Sequence, residues 1–204
     1  MKLHEITAPH AQIEQFLDSH RIKNYTIHPD GTVDVDGDVD LRNLKGTSLP
    51  VQFGKVRGDF DYDRTKITSL KGAPQAVGGG FYCGNTPITS LKGAPQSVGS
   101  DFYCHNTKIT SLEGAPQYVG GDFGCSNTNI TNLDGAPQTV GGSFYCGDTL
   151  LHGLLRLLDI KGLNSVVFDH GPIDAILDKY VGTGDILSAQ DELIDAGFAK
   201  VARM

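Results

Sequence analysis

The sequence predicts an α/β solenoid: a parallel sheet of about six short strands, wound in 21-residue coils, with helical caps at both ends. Two observations carry this reading. One 21-residue phrase is written four times, from Ile67, Ile88, Ile109 and Ile130, and each copy contains a short apolar–polar alternation. The flanking segments break the phrase and take on helical periodicity instead, as end caps of a stacked array must. The expected organisation is a helix-and-hairpin cap over residues 1–37, a solenoid over 38–168 and a helical cap over 169–204.

At the N-terminus, Pro9 in a first turn followed by Ile13, Phe16 and Leu17 reads as a short amphipathic helix, ended by the polar run Asp18 to Lys23. Tyr25, Ile27, Val33 and Val35 then alternate with polar residues around Pro29-Asp30-Gly31, a hairpin pattern. The repeat fades in after this. A shift of 21 places sets Gly58-Asp59-Phe60-Asp61-Tyr62 under Gly79 to Cys83, and a second shift sets Val39 and Leu41 in the same inward slots.

Within one coil, Phe102 and Cys104 alternate with Asp101, Tyr103 and His105, so a strand points Phe and Cys inward and the others outward. Asn106-Thr107 turns the chain, Ile109 and Leu112 fill the core, Gly114-Ala115-Pro116 turns again, and Val119 closes the coil. Gly120-Gly121 permits a tight entry into the next strand. Cys83, Cys104, Cys125 and Cys146 all occupy one repeat position. That regularity marks a packing slot for small buried hydrophobes, since zinc needs a tetrahedral set of ligands and four thiols on successive strands lie in a line.

Phe102, Cys104, Thr107 and Ile109 fall on the L-x-L-x-x-N-x-L portion of the leucine-rich repeat, which the chain resembles over residues 38–168. The segment ITSLKGAP followed by Val is similar to the short type found in bacterial effectors, and to repeats of phage-encoded proteins. This resemblance implies a parallel strand face used for binding. The coil departs from the pattern in its 21-residue length and in placing Thr at the asparagine position. Asn85, Asn106 and Asn127 sit one residue earlier, so either column is a candidate for the buried hydrogen-bonded ladder.

After Thr149 the phrase dissolves. Leu151 and Leu154 continue the core columns, Leu154 to Ile160 reads as a helical turn replacing Gly-Ala-Pro, and Val166 to Phe168 resembles a last strand displaced by about three residues. Gly171-Pro172 opens a helix with Ile173, Ile176, Leu177 and Tyr180 on one face. Ser188-x-x-Asp191 has the spacing of a capping box for a second.

Composition narrows the function. Net charge is −7, residues 1–63 holding seven Lys/Arg against eleven Asp/Glu and residues 64–149 five against five. An acidic chain without a basic stripe disfavours nucleic acid and suits a basic protein partner. No apolar run approaches a membrane span, and the N-terminus lacks the apolar core of a secretory signal, so a cytoplasmic protein is expected, in the host cytoplasm if phage-encoded. The acidic run Asp30 to Asp40 resembles a calcium loop but lacks Gly and Glu at the required places. No nucleophile–base–acid set recurs and the tail has no cysteine, so neither an enzyme nor a cofactor is expected.

The outward strand residues are the candidate site. Asp59, Asp61 and Asp63 form an acidic end, expected to attract a basic partner. Tyr82, Tyr103, Tyr145 and His105, flanked by Asp101 and Asp122, form an aromatic strip with a gap at Gly124. Aromatic residues are enriched at binding surfaces, although tyrosine also simply favours strands. The expected function is a non-enzymatic protein-binding module acting through its concave strand face, possible as a homo-oligomer and of a kind that inhibits or decoys a host or defence protein. The alternative is a nucleotide-like small molecule held on the tyrosine strip; the Gly124 gap is expected to admit a partner side chain, or a flat ligand between Tyr103 and Tyr145.

Overall fold

The computed structural model describes residues 4–149 and 152–202, with side chains from residue 10 onward. Among these the chain forms a helix α1 (His4–Ser19), a run of short strands β1–β13, a 3-10 helix η1 (Leu154–Asp159), a last strand β14 (Ser165–Val167) and two helices, α2 (Gly171–Tyr180) and α3 (Ile186–Asp195). The solenoid is thus present, but each coil carries two strands where one was expected. One sheet runs β1 (Tyr25–Ile27), β2 (Thr32–Val35), β4 (Gln52–Val56), β6 (Ala76–Val77), β8 (Ser97–Val98), β10 (Tyr118–Val119) and β12 (Thr139–Val140). The other runs β3 (Val39–Asp40), β5 (Phe60–Asp61), β7 (Phe81–Tyr82), β9 (Phe102–Tyr103), β11 (Phe123–Gly124), β13 (Ser143–Tyr145) and β14. We call these the valine sheet and the tyrosine sheet. Strands of the valine sheet beyond β4 are two residues long, close behind Gly-Ala-Pro, which is too short to register as a period-two pattern.

Register follows the phrase. Phe60, Phe81, Phe102, Phe123 and Phe144 pair in sequence across the tyrosine sheet, and Val77, Val98, Val119 and Val140 across the valine sheet. Stacked in-register coils turn each inward letter into a column. The phenylalanine rings lie 4.9–5.7 Å apart and within 27° of parallel, and all five are fully buried. Successive coils approach so closely that Gly78, Gly99, Gly120 and Gly141 have no room for a side chain. A Cβ on Gly120 falls 2.1 Å from the Gly99 carbonyl oxygen. The Gly-Ala-Pro turn needs glycine for a different reason, the left-handed backbone of Gly114 at φ 89°.

The two polar columns of the turn divide their work. Thr86, Thr107 and Thr128 are buried, and each hydroxyl donates to the carbonyl of the cysteine three residues earlier in its own coil, at 2.7–2.8 Å. Asn85, Asn106 and Asn127 adopt left-handed backbone at φ 52–53° and stay exposed. Their amides form the ladder between coils, Asn106 Nδ2 donating to Asn85 Oδ1 at 3.0 Å and Asn127 Nδ2 to Asn106 Oδ1 at 2.5 Å. The ladder is therefore an exposed asparagine one.

The ends are closed by different means. At the N-terminus, β1 pairs antiparallel with β2, while Leu17 and Ile22 enter the core. Helix α1 begins at His4, upstream of Pro9, so the proline is not in its first turn. β2 already pairs in parallel with β4, so the valine sheet starts within the segment expected to be a cap. At the C-terminus, η1 buries Leu154, Leu155, Leu157 and Leu158 in place of the glycine turn, and Leu151 lies outside the described residues. β14 pairs Val166 with Phe144, a shift of one residue from the 21-residue register instead of three. Its outer amides are capped by α2: Val166 N–H donates to Asp178 Oδ1 at 2.8 Å and Phe168 N–H to Asp174 Oδ1 at 2.9 Å. Helix α3 is capped by Asp185, which accepts the Ser188 N–H at 3.1 Å, one turn earlier than the expected capping box. No helix among the described residues is long and apolar enough to cross a membrane.

Candidate functional site

The outward face of the tyrosine sheet brings the expected site residues into neighbouring rows. In the first outward column, an aspartate of one coil serves the next. Asp38 Oδ1 accepts the Asp59 N–H at 2.9 Å, Asp59 Oδ1 the Gly80 N–H at 2.7 Å, Asp101 Oδ1 the Asp122 N–H at 2.8 Å, and Asp122 Oδ1 the Ser143 N–H at 2.8 Å. These carboxylates thus have a structural task, each using one oxygen to satisfy a backbone donor that the short strands leave over. In strand β2, Asp34 does the same for the Lys55 N–H at 2.7 Å, and also contacts His28 Nε2 at 3.0 Å.

The acidic end is largely paired within itself. Arg42 clasps Asp40 through two hydrogen bonds and lies 3.4 Å from Asp61, while Arg64 lies 3.3 Å from Asp63. Asp63 also accepts the Asn85 amide at 3.2 Å. Burial pushes the Asp61 carboxyl above its ordinary value, against the pull of Arg42 and of its bond from the Asp63 N–H. Of the three acids expected to attract a basic partner, only Asp59 is outside the ion pairs found among the described residues.

The aromatic strip is tighter than expected. Tyr82 and Tyr103 stack with centroids 6.0 Å apart and planes 21° from parallel. Both rings lean along the sheet over glycines. A Cβ on Gly80 falls 2.2 Å from Tyr82 Oη, so this hydroxyl occupies the place filled by an aspartate side chain in neighbouring coils. A Cβ on Gly124 falls 2.3 Å from Tyr103 Cδ1, and Gly124 is buried. The expected gap at Gly124 is therefore closed by the Tyr103 ring, whose hydroxyl donates to Asp122 Oδ2 at 3.2 Å. The Tyr82–Tyr103 stack is itself too close to take a flat group between its rings, since a planar sandwich needs about 7 Å, two contacts of about 3.5 Å each. Tyr145 is half-buried on the same face, two coils beyond Tyr103.

His105 completes the row. Its ring meets Tyr103 edge-on at 6.1 Å, and its Nε2 lies 3.2 Å from Asn85 Nδ2. Because Asp63 can only accept, the Asn85 amide nitrogen is fixed toward it, and His105 Nε2 then serves as an acceptor. Sequence reasoning missed that the asparagine ladder joins the site through this contact. Its signal was visible in three asparagines spaced 21 apart.

The electrostatics are set by carboxylates crowding phenols. Partial burial first, then Asp59, Asp101 and Asp61, raise the Tyr82 hydroxyl above its ordinary value. Burial, then Asp122 and Asp101, raise that of Tyr103 further. Both stay neutral donors at physiological pH. The cysteine column lies behind this face, fully buried and unpaired. Burial pushes all four thiols up, so they do not supply nucleophiles at neutral pH. Among the described residues no cluster of three or more His, Cys, Asp or Glu is arranged to hold a metal ion. Comparison with protein-family models, curated proteins and solved structures found no match.

Proposed function

We propose that this chain is a non-enzymatic protein-binding repeat module that engages another protein through the outward face of the tyrosine sheet. The observation that carries the reading is the stacked Tyr82–Tyr103 pair, two large rings on a solvent-facing row where the core does not need them. Such rings supply contact area at low entropic cost and dominate interface energetics. The amide bonds of the aspartate column and the asparagine ladder hold the face rigid, so little ordering is lost on binding. We read the coil as a relative of the short leucine-rich repeat of bacterial effectors and phage proteins, on the strength of its ITSLKGAP segment. Inhibition or decoying of a host or defence protein in the cytoplasm is the role that this resemblance suggests.

The test is a Tyr82→Ala/Tyr103→Ala variant in quantitative binding to a partner captured from the native cell. Loss of two interface anchors is expected to weaken binding by about thirtyfold or more. Unchanged affinity for every captured partner would rule the reading out.

A further inference from the structure

We infer that the Tyr82–Tyr103 platform recognises arginine side chains of a partner protein. This rests on the protein-binding reading above and names the chemistry it would read. Three features of the face point there.

The first is where charge is left unmet. Asp40, Asp61 and Asp63 lie against Arg42 and Arg64, but Asp59, Asp101 and Asp122 are in none of the ion pairs found among the described residues. Asp122 spends one oxygen on the Ser143 N–H and the other on the Tyr103 hydroxyl. Asp59 and Asp101 each spend one oxygen on a backbone N–H, and their second oxygens have no hydrogen bond among the described residues. These two flank Tyr82, one coil before it and one coil after. Asp38, one coil further out, is likewise outside the ion pairs, but only Asp59 and Asp101 put available negative charge beside the aromatic pair.

The second is the break between them. The outward column reads Asp38, Asp59, Gly80, Asp101, Asp122, and at Gly80 the Tyr82 hydroxyl stands in for the missing carboxylate. Two free carboxylate oxygens are thus held on either side of a phenol, and among the described residues no cationic side chain pairs with either.

The third is the shape of the complement. The rings are too close for a flat group to enter between them, so a ligand meets the hydroxyl end of the strip and the carboxylates beside it. A guanidinium presents a planar fork of donors that spans one of these carboxylates and the Tyr82 hydroxyl oxygen one strand away, whereas an ammonium is a compact, strongly hydrated point charge. The site therefore favours arginine over lysine.

The experiment uses the full chain and an oligo-arginine peptide, with an oligo-lysine peptide of equal length beside it, followed by backbone amide NMR and titration calorimetry. The key variant is Asp59→Asn/Asp101→Asn. Asparagine still accepts the Gly80 and Asp122 amides, so the fold is kept while the charges go. A control variant, Asp159→Asn/Asp191→Asn, removes the same charge from exposed positions elsewhere. Expected are shifts centred on residues 80–82 and 101–103, about tenfold weaker binding in the first variant, little change in the control, and tighter binding of arginine than lysine. Equal weakening in both variants, or equal affinity for the two peptides, reduces the effect to net charge and overturns the inference. If instead no peptide binds, while Tyr82→Ala/Tyr103→Ala still abolishes binding of a captured partner, the arginine inference fails and the protein-binding reading stands.

Discussion

The cysteine column makes the fold sensitive to mild alkali, and the size of the effect can be worked out. Cys83, Cys104, Cys125 and Cys146 are fully buried, and burial raises each thiol above its ordinary value. In the unfolded chain the same thiols ionise near pH 8.5. Above that pH the unfolded chain binds fewer protons than the folded one, so stability falls as pH rises. The stabilising contribution is complete below about pH 8.5 and is lost progressively as pH climbs toward the raised folded values. One unit above the unfolded value, each thiol costs a little over 1 kcal/mol, and the four together roughly 5 kcal/mol. Domains of this kind have only about 5–15 kcal/mol to lose. Urea unfolding under reducing conditions at pH 8.0, 8.5, 9.0 and 9.5, a window below lysine and tyrosine titration, should show the midpoint dropping steeply. A variant with all four cysteines changed to alanine starts less stable but should have a nearly flat profile. A wild-type midpoint constant over this window, or an equal slope in the variant, refutes the reasoning.

Two further outcomes follow from individual side chains. Tyr62 occupies the cysteine slot of its coil with a fully buried hydroxyl that has no hydrogen-bond partner among the described residues, so Tyr62→Phe should leave the melting temperature unchanged or raise it, by the equivalent of about 1 kcal/mol or more. A clear loss of stability would mean that the hydroxyl has a partner. Gly120→Ala places a Cβ 2.1 Å from the Gly99 carbonyl and should destabilise by several kcal/mol in chemical denaturation, whereas Ser at the next repeat position is already tolerated at Ser100.

The inward letters of the phrase were legible because repetition removes ambiguity. Phe102, Cys104, Ile109, Leu112 and Val119 each recur at 21-residue spacing, and a column of like residues has one arrangement that buries them all. The valine sheet was not legible as a strand, because two residues after a proline turn do not establish a period. The candidate face was legible in membership and not in interaction. Nothing in the letters Asp101 and Asp122 says that one oxygen goes to the following coil, since that depends on backbone donors exposed by very short strands. Likewise Gly124 reads as a vacancy until the lean of the Tyr103 ring is known. Side-chain direction along a sheet is set by neighbours three-dimensionally adjacent and 21 residues distant, which a linear pattern does not rank.

The carboxylates of Asp174 and Asp178 have a consequence beyond finishing one strand. A pile of identical, in-register coils has the same internal logic as a cross-β fibre, in which each layer templates the next without limit. What makes such a pile finite is a layer whose amides are already taken. Helix α2 packs across the edge of β14 and delivers two acceptors to the amides of Val166 and Phe168, so the donors that would pair with another layer are spent and the edge is covered. Those two aspartates act as a chain terminator for a polymer that the repeat alone would have no reason to stop.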